Sequence, residues 1–273
     1  MNNSMILTNH NTDNIIYMTE IIKPKENPKK KPKLNKDGTI SKRHSNKVAG
    51  VSSEVFSFKT KEEINAMISV FDKRINDAHD ADKLRIARRN KLLFILGINL
   101  GLRASDLRKI TFKFFFSETD NGGYEWNEYY SLVPEKQKRQ RKYIKLFFND
   151  TVRNAILNYI EYYPISDIDD FVFVSRIGKG KCSISEPAIW DILNKTALEA
   201  GIQQNIGSHS LRKTFGYWIW HEAVDKDKAL VILQQCFAHS STQITMKYIG
   251  ILDDEIKDTY YSISLGSDGV SFD

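Results

Sequence analysis

A histidine and a tyrosine lie nine residues apart near the C-terminal end of this 273-residue sequence. His239 and Tyr248 are the first and last residues of the segment HSSTQITMKY. A tyrosine hydroxyl has a pKa near ~10, so it is a poor nucleophile unless its developing negative charge is stabilised. The chain has 12 tyrosines, and packing is the alternative role for Tyr248. Chemistry at this hydroxyl therefore requires cationic side chains from elsewhere in the chain.

The segment SHSLRKTF offers one such cation beside a second histidine. His209 and Arg212 are one helical turn apart, so they share a helix face. Ser208 as the N-cap would place both in the first turn, where free backbone N–H groups also attract an anion. A partly exposed basic helix face is the alternative interpretation.

Arg103 follows Gly101 at the start of a short predicted helix. Asp106 lies one turn further on, close enough to hold the Arg103 guanidinium. The alternative is a surface ion pair that contributes about 0.5 kcal/mol.

A basic turn, PEKQKRQ, supplies a lysine. Lys136 lies in this turn, and its basic neighbours are Lys138, Arg139, Arg141 and Lys142. Sequence position alone does not show which of these residues is a catalyst and which contacts the DNA backbone.

These residue types suit the transfer of a phosphoryl group. An arginine guanidinium can bind two phosphate oxygens at once, and its positive charge offsets the negative charge of the transition state. A lysine or a histidine protonates a leaving oxygen. The sequence has no acidic cluster of the kind that holds two catalytic metal ions. We therefore expect a route that uses no metal and no other cofactor.

The elements that must position these residues are mostly helices. Apolar residues recur at helical spacing after Thr60, a predicted N-cap with Glu63 three residues on. A second, buried helix ends at Gly101. The aromatic and β-branched segments YEWNEYYSLV and RKYIKLFF predict strands, and helical patterns return from Asp150. The predicted fold class is mainly α with one small antiparallel β-sheet (α+β).

Positive charge is concentrated near the N-terminus. Residues 21–47 hold ten Lys/Arg and two acids, a net +8, whereas the whole chain has +6. We expect residues 1–52 to form a flexible arm that binds DNA phosphates, and a solvated tail is the alternative. The candidate contacts are Lys29, Lys30, Lys31, Lys42 and Arg43. We expect a catalytic domain at 53–265 and a C-terminal tail at 266–273.

The remaining composition bounds the location of the protein. Its two cysteines form neither a disulfide framework nor a metal knuckle. No apolar run is long enough for a membrane helix, and the N-terminus lacks the pattern of a signal peptide. We expect a cytoplasmic, nucleoid-associated protein with no membrane partner.

Four segments in this order resemble the tyrosine recombinases, the phage integrase family, over roughly residues 56–263. They are Arg103 in GLRASDL, Lys136 in the hairpin EKQKRQRKYIKL, HSLR at 209–212 and AHSSTQITMKY ending at Tyr248. The resemblance implies the catalytic-domain fold of that family and a role for each residue: Tyr248 as nucleophile, Arg103 and Arg212 as phosphate ligands, Lys136 as general acid, His209 in proton transfer, His239 as a hydrogen-bond donor to phosphate, and Asp106 as a brace.

The resemblance also implies a function. The chain would be a site-specific recombinase that cuts and rejoins double-stranded DNA through a 3′-phosphotyrosyl intermediate, in integration, excision or inversion. A homotetramer on DNA would form through the C-terminal segment, which has Ile251, Ile256, Tyr260 and Ile263 on one face. Packing of that segment on its own domain is the alternative. Other readings of the whole chain are a type IB topoisomerase and a catalytically silent DNA-binding regulator.

Two departures from the family pattern stand out. Phe237 and Ala238 replace the usual Leu-Gly before the motif histidine, and a position that needs positive φ would make the alanine costly. The family's helical core-binding domain has no counterpart, so we expect a catalytic domain preceded only by the basic arm. A chain cut from a longer protein is the alternative.

Overall fold

The computed structural model describes residues 55–135, 143–176 and 181–262. The domain boundaries predicted at 52/53 and 265/266 fall outside these residues and stay predictions. Helices dominate the described chain: α1 Lys61–Asn76, α2 Ala81–Leu100, α3 Ala104–Leu107, α4 Asp150–Tyr162, α5 Glu186–Glu199, α6 Ser208–Glu222, α7 Lys226–Phe237, α8 Thr242–Ile249 and α9 Ile251–Ser262. The strands are β1 Phe116–Glu118, β2 Tyr124–Trp126, β3 Tyr129–Leu132 and β4 Ile144–Phe147.

The strands form two antiparallel pairs, β1 with β2 and β3 with β4. The segment predicted as one strand, YEWNEYYSLV, divides at Asn127. The Asn127 N–H donates to the Phe115 carbonyl at 2.8 Å, and its side-chain amide donates to the Lys113 carbonyl at 2.9 Å. β1 was not predicted, because its three residues, FSE, include a single apolar side chain and show no alternating pattern. The predicted fold class is confirmed, with two small sheets in place of one.

The first two helices begin and end where the sequence indicates. The Thr60 hydroxyl accepts the Glu63 N–H at 3.1 Å, and the Glu63 carboxylate accepts the Thr60 N–H at 3.2 Å. This reciprocal cap satisfies two donors that the first turn leaves unpaired. α2 ends at Gly101, which has φ 60°. Only glycine adopts that left-handed conformation without a steric penalty, because it has no Cβ.

Buried apolar residues form two clusters, and α6 lies between them. The larger cluster includes residues of α1, α2, α4 and α5 and Leu211 of α6. The smaller cluster is built from α7, the end of α8 and Ile251, with Phe215 of α6 packed against it. α6 therefore fixes the position of α7 and α8 relative to the larger core.

Residues 55–60, which we call the N-terminal strap, lie along α6. The Phe58 N–H donates to the Thr214 hydroxyl, and the Phe58 carbonyl accepts from the Trp218 indole, both at 2.9 Å. Lys59 Nζ donates to the Gly250 carbonyl at 3.0 Å, at the C-terminal end of α8. The strap thus joins α6 to the helix that carries Tyr248.

Among the described residues, none of the helices combines the length and the apolar character that crossing a membrane requires.

Candidate active site

The N-terminal end of α6 carries His209 and Arg212. Its N-cap is Gly207, so the prediction of Ser208 as N-cap is wrong and Ser208 is the first helical residue. The Gly207 N–H donates to the Ser210 hydroxyl at 3.0 Å. A side chain at 207 would clash, because a Cβ there would lie 2.9 Å from Val55. His209 still lies in the first turn, as predicted, whereas Arg212 is the fifth helical residue and lies just beyond it, contrary to the prediction.

Arg212 is 4% exposed and its guanidinium is held on two sides. Nη1 donates to the Gly101 carbonyl at 2.6 Å, and the guanidinium carbon lies 4.2 Å from the centroid of the Phe237 ring. Burial lowers the Arg212 pKa to about 10, so the side chain stays charged at neutral pH. Within the described part of the chain, Nη2 is buried without a hydrogen-bond partner. A buried charged donor of this kind is costly unless an anion reaches it.

The end of α2 positions that guanidinium. A Cβ on Gly101 would lie 2.2 Å from the Phe215 ring, so a glycine is needed for α6 to approach this closely. The approach brings the Gly101 carbonyl to Arg212. A cleft of about 420 Å³ borders this contact, with Gly101, Arg212 and Phe237 in its lining.

Arg103 is the N-cap residue before α3, and its Nη2 donates to the Phe237 carbonyl at 3.4 Å, at the end of α7. Asp106 is 6% exposed, and its carboxylate accepts the Glu135 N–H at 2.8 Å. Among the described residues no hydrogen bond or ion pair joins Asp106 to Arg103, so both the prediction that Asp106 holds the Arg103 guanidinium and the alternative of a surface ion pair are wrong. Asp106 instead fixes the residue that directly precedes Lys136.

The nucleophile candidate lies near the end of α8. The Tyr248 hydroxyl is 3.3 Å from Nδ1 of His209, a residue on another helix. Burial raises the Tyr248 pKa, and the positive charges of Arg212 and Arg103 act in the opposite direction. The hydroxyl is therefore protonated at neutral pH. Its proton needs an acceptor in the reaction, and the His209 imidazole is within hydrogen-bond reach.

His239 lies beside Tyr248, with ring centroids 5.1 Å apart. Its Nδ1 is 3.0 Å from the Thr245 hydroxyl. Burial, followed by the charges of Arg212 and Arg103, lowers the His239 pKa to about 4. The imidazole is therefore neutral at neutral pH, with one N–H available as a donor.

The structure thus brings together five of the six predicted catalytic residues: Arg103, His209, Arg212, His239 and Tyr248. Lys136 lies outside the described residues, as do all the predicted DNA contacts, which are Lys138, Arg139 and Arg141 of the basic turn and Lys29, Lys30, Lys31, Lys42 and Arg43 of the arm. Their roles stay predictions.

Two residues at the site were not identified from the sequence. Phe237 packs against the arginine and the tyrosine. Lys213 is 6% exposed, with Nζ 5.8 Å from the centroid of the Tyr248 ring. Lys213 directly follows Arg212, but a lysine at that position of an amphipathic helix ordinarily indicates a solvated face. The replacement of the usual leucine by Phe237 was visible in the sequence, but it did not indicate contacts with the arginine and the tyrosine.

Residues 59–255 match the model of the phage integrase family, and the chain belongs to that family. Its members are enzymes that break and rejoin DNA strands, so the predicted tyrosine recombinase class is confirmed.

Relatives by sequence include the probable integrase/recombinase YoeC of Bacillus subtilis (strain 168). It is 31% identical over 173 residues, which are 63% of this chain and 83% of YoeC. The tyrosine recombinase XerH of Campylobacter jejuni is 25% identical over 73% of this chain, and the matched part is 50% of XerH. The chain therefore spans about half the length of that relative.

Solved structures with the same fold include the XerA recombinase, at a TM-score of 0.52 and 16% identity over 78% of this chain and 66% of XerA. A post-cleavage complex of the XerH site-specific recombinase with its palindromic difH substrate also has a TM-score of 0.52. The identity there is 16%, over 83% of this chain and 58% of that protein. The fold prediction is confirmed by these structures.

Proposed function

We propose that this protein is a site-specific DNA recombinase in which the Tyr248 hydroxyl attacks the phosphate of a DNA strand. One observation carries the proposal: the Tyr248 hydroxyl lies 3.3 Å from His209, and the charges of two arginines, Arg212 and Arg103, act to lower its pKa. A tyrosine that served only for packing would not require two cations near its buried hydroxyl.

The reaction follows from these groups. Tyr248 Oη attacks phosphorus and forms a 3′-phosphotyrosyl bond, while its proton passes to Nδ1 of His209. Arg103 and Arg212 bind the phosphate oxygens, and Nη2 of Arg212 supplies the buried donor. The bond from phosphorus to the 5′ oxygen breaks, and that oxygen takes a proton, which we assign to Lys136. A 5′-hydroxyl of a second strand then reverses the steps, so the bond energy is conserved and no nucleotide cofactor is consumed.

His239 complements the arginines as a neutral donor to the phosphate. A neutral imidazole donates one hydrogen bond without adding a third fixed positive charge beside Arg103 and Arg212. Asp106 acts at one remove. It holds the Glu135 backbone, so we propose that it braces the start of the turn that contains Lys136.

The test uses duplex DNA selected for binding from a random-sequence pool and then synthesised with a nick in the middle of the site. We expect the protein to become covalently attached to this duplex, in the presence of EDTA, because loss of the short nicked fragment traps the phosphotyrosyl intermediate. Tyr248→Phe should bind the duplex and form no adduct. Denaturing electrophoresis measures attachment.

Tyr162→Phe, on an exposed tyrosine of α4, is the matched control and should react normally. An adduct with Tyr248→Phe overturns the nucleophile assignment. A wild-type chain that binds the duplex and never attaches favours the catalytically silent regulator. Exchange between two sites on one plasmid, as opposed to relaxation of a plasmid without sites, separates a recombinase from a type IB topoisomerase.

We further propose that the basic segment within residues 1–52 adds affinity for the DNA backbone without reading its sequence. The support is its net charge of +8 over residues 21–47. Each phosphate contact releases condensed counterions. Deleting residues 1–47 should therefore weaken binding to all duplexes and reduce the dependence of affinity on salt concentration. An unchanged salt dependence contradicts this role.

We also propose that copies of the protein assemble on DNA, as a tetramer, through α9. Ile251 is buried, but every residue from Ile256 to Ser262 is exposed. Ile256 is 48% exposed and Tyr260 is 79% exposed, and the two lie one turn apart. This exposure argues against the alternative in which the helix packs on its own domain. Ile263 lies outside the described residues.

A further inference from the structure

Phe237, the last residue of α7, contacts most of the candidate site. It is 1% exposed. Its ring lies 4.2 Å from the Arg212 guanidinium carbon, 5.4 Å from the Tyr248 ring and 5.3 Å from the His239 ring, measured between ring centroids. Its carbonyl accepts the hydrogen bond from Arg103. A single residue therefore touches four of the side chains that the proposed reaction uses.

The contact with Arg212 depends on an aromatic ring. The face of a phenyl ring carries negative potential, so it attracts a cation, and the attraction increases when both groups are shielded from water. Arg212 and Phe237 are both buried. The leucine usual at this position in the family would fill part of the space, but it would offer no such attraction to the guanidinium.

The neighbouring helix leaves space for the ring. A Cβ on Gly216 of α6 would lie 2.6 Å from Cγ2 of Ile249, 2.8 Å from Cε2 of Phe237 and 2.9 Å from its Cζ. Distances this short are not tolerated between carbon atoms in a packed interior. The absent side chain at 216 therefore makes room for both the Phe237 ring and Ile249, so α6 can pack closely against the ends of α7 and α8.

We propose that Phe237 is a positioning residue for DNA cleavage. Its ring holds the Arg212 guanidinium in place against the Gly101 carbonyl, while its edge packs against Tyr248, so the phosphate ligand and the nucleophile share one support. This inference rests on the proposed function, because it concerns the speed of attack by Tyr248.

The test varies the electrostatics of the ring and keeps its shape nearly constant. Full-length protein is made with phenylalanine, 4-fluoro-, 3,5-difluoro- or 3,4,5-trifluorophenylalanine at position 237, since each fluorine withdraws negative potential from the ring face. We expect the rate of adduct formation on the nicked duplex, in a single turnover, to fall stepwise. The total fall should be about tenfold, equivalent to about 1.4 kcal/mol in the activation barrier. Duplex affinity and the thermal unfolding midpoint should stay constant.

The same series at Phe215 is the matched control. That ring packs 6.3 Å from Phe237, and no cation–ring contact with it is found in the described part of the chain, so fluorination there should leave the rate unchanged. Phe237→Leu should also slow the reaction about tenfold with duplex affinity retained.

Three results contradict the proposal. A rate that does not depend on fluorination at 237 overturns the positioning role alone, if the wild-type chain reacts. Equal losses in the 215 and 237 series would indicate general core damage and overturn it as well. A wild-type chain that forms no adduct overturns the proposed function, and the positioning role falls with it.

Discussion

Ala238 has the left-handed conformation that costs any residue with a Cβ. It follows α7 with φ 52° and ψ 43°, and no other described non-glycine residue has a positive φ. The conformation lets its N–H and that of His239 donate to the last carbonyls of α7, which turns the chain toward α8. For residues other than glycine this region costs about 1–2 kcal/mol. The fold therefore accepts local strain directly beside the site.

Ala238→Gly should raise the free energy of unfolding by about 0.5–1 kcal/mol, because relief of the strain exceeds the added entropy of the unfolded chain. Urea unfolding measures it. Ala200→Gly is the matched control, since Ala200 caps α5 with φ −76° and has no strain to lose. That variant should be destabilised. A loss of stability in both variants contradicts the strain at 238.

Helices α6 and α8 are held together by the N-terminal strap as well as by apolar packing. Lys59 donates to the carbonyl of Gly250, which ends α8 with φ 78°. The ammonium group also lies 5.5 Å from the centroid of the Tyr217 ring on α6. A cation at the C-terminal end of a helix is stabilised by the helix dipole. The helix that carries Tyr248, the proposed nucleophile, is therefore fixed at its C-terminal end by a residue that precedes α1.

Lys59→Met should slow adduct formation on the nicked duplex several-fold and lower the unfolding free energy by about 1 kcal/mol, since a half-buried charged hydrogen bond is lost. Lys59→Arg keeps the charge and should recover most of the rate. Lys73→Met removes an exposed lysine of α1 and is the control. A normal rate for Lys59→Met, measured with its duplex affinity, would show that α8 needs no such anchor.

The sequence predicts the structural features that depend on residues close together in the chain. Periodicity locates the helices, Thr60 and Gly101 give the limits of α1 and α2, and the motif order identifies the site. Contacts between residues far apart in the chain leave no local sequence pattern. For this reason the sequence could not predict the hydrogen bond from Arg212 to Gly101, the packing of the Phe237 ring against Arg212, or the Lys59 anchor. The N-cap at Gly207 was missed for the same reason, because the glycine is needed there to avoid a clash with Val55, which is distant in sequence.

The C-terminal end of the described chain exposes three large apolar side chains. In α9, Ile256 and Tyr260 share a face, and Tyr261 is 77% exposed beside them. Exposed apolar groups that cluster on one helix mark an interaction surface.

Ile256→Ser combined with Tyr260→Ser should reduce the number of protomers bound to a duplex with two sites, because the apolar face that a second copy covers is lost. Affinity for a single site should be unchanged. Asp258→Ser lies about 200° around the helix from Ile256 and is the control. Mass photometry counts protomers per duplex, and full assembly by the double variant rules out α9 as the contact.

The anchor between Lys59 and Gly250 also sets the order of events during synthesis. It closes a loop of 191 residues, and the contact between Arg103 and Phe237 closes one of 134. Contacts this distant in sequence form slowly, because closing the loop loses conformational entropy before the contact contributes any stabilisation. A nascent chain can pack α1, α2 and α4 while α8 is still inside the ribosome. The candidate site residues on α7 and α8 therefore reach their final positions last, after α1, α2 and α4 have packed.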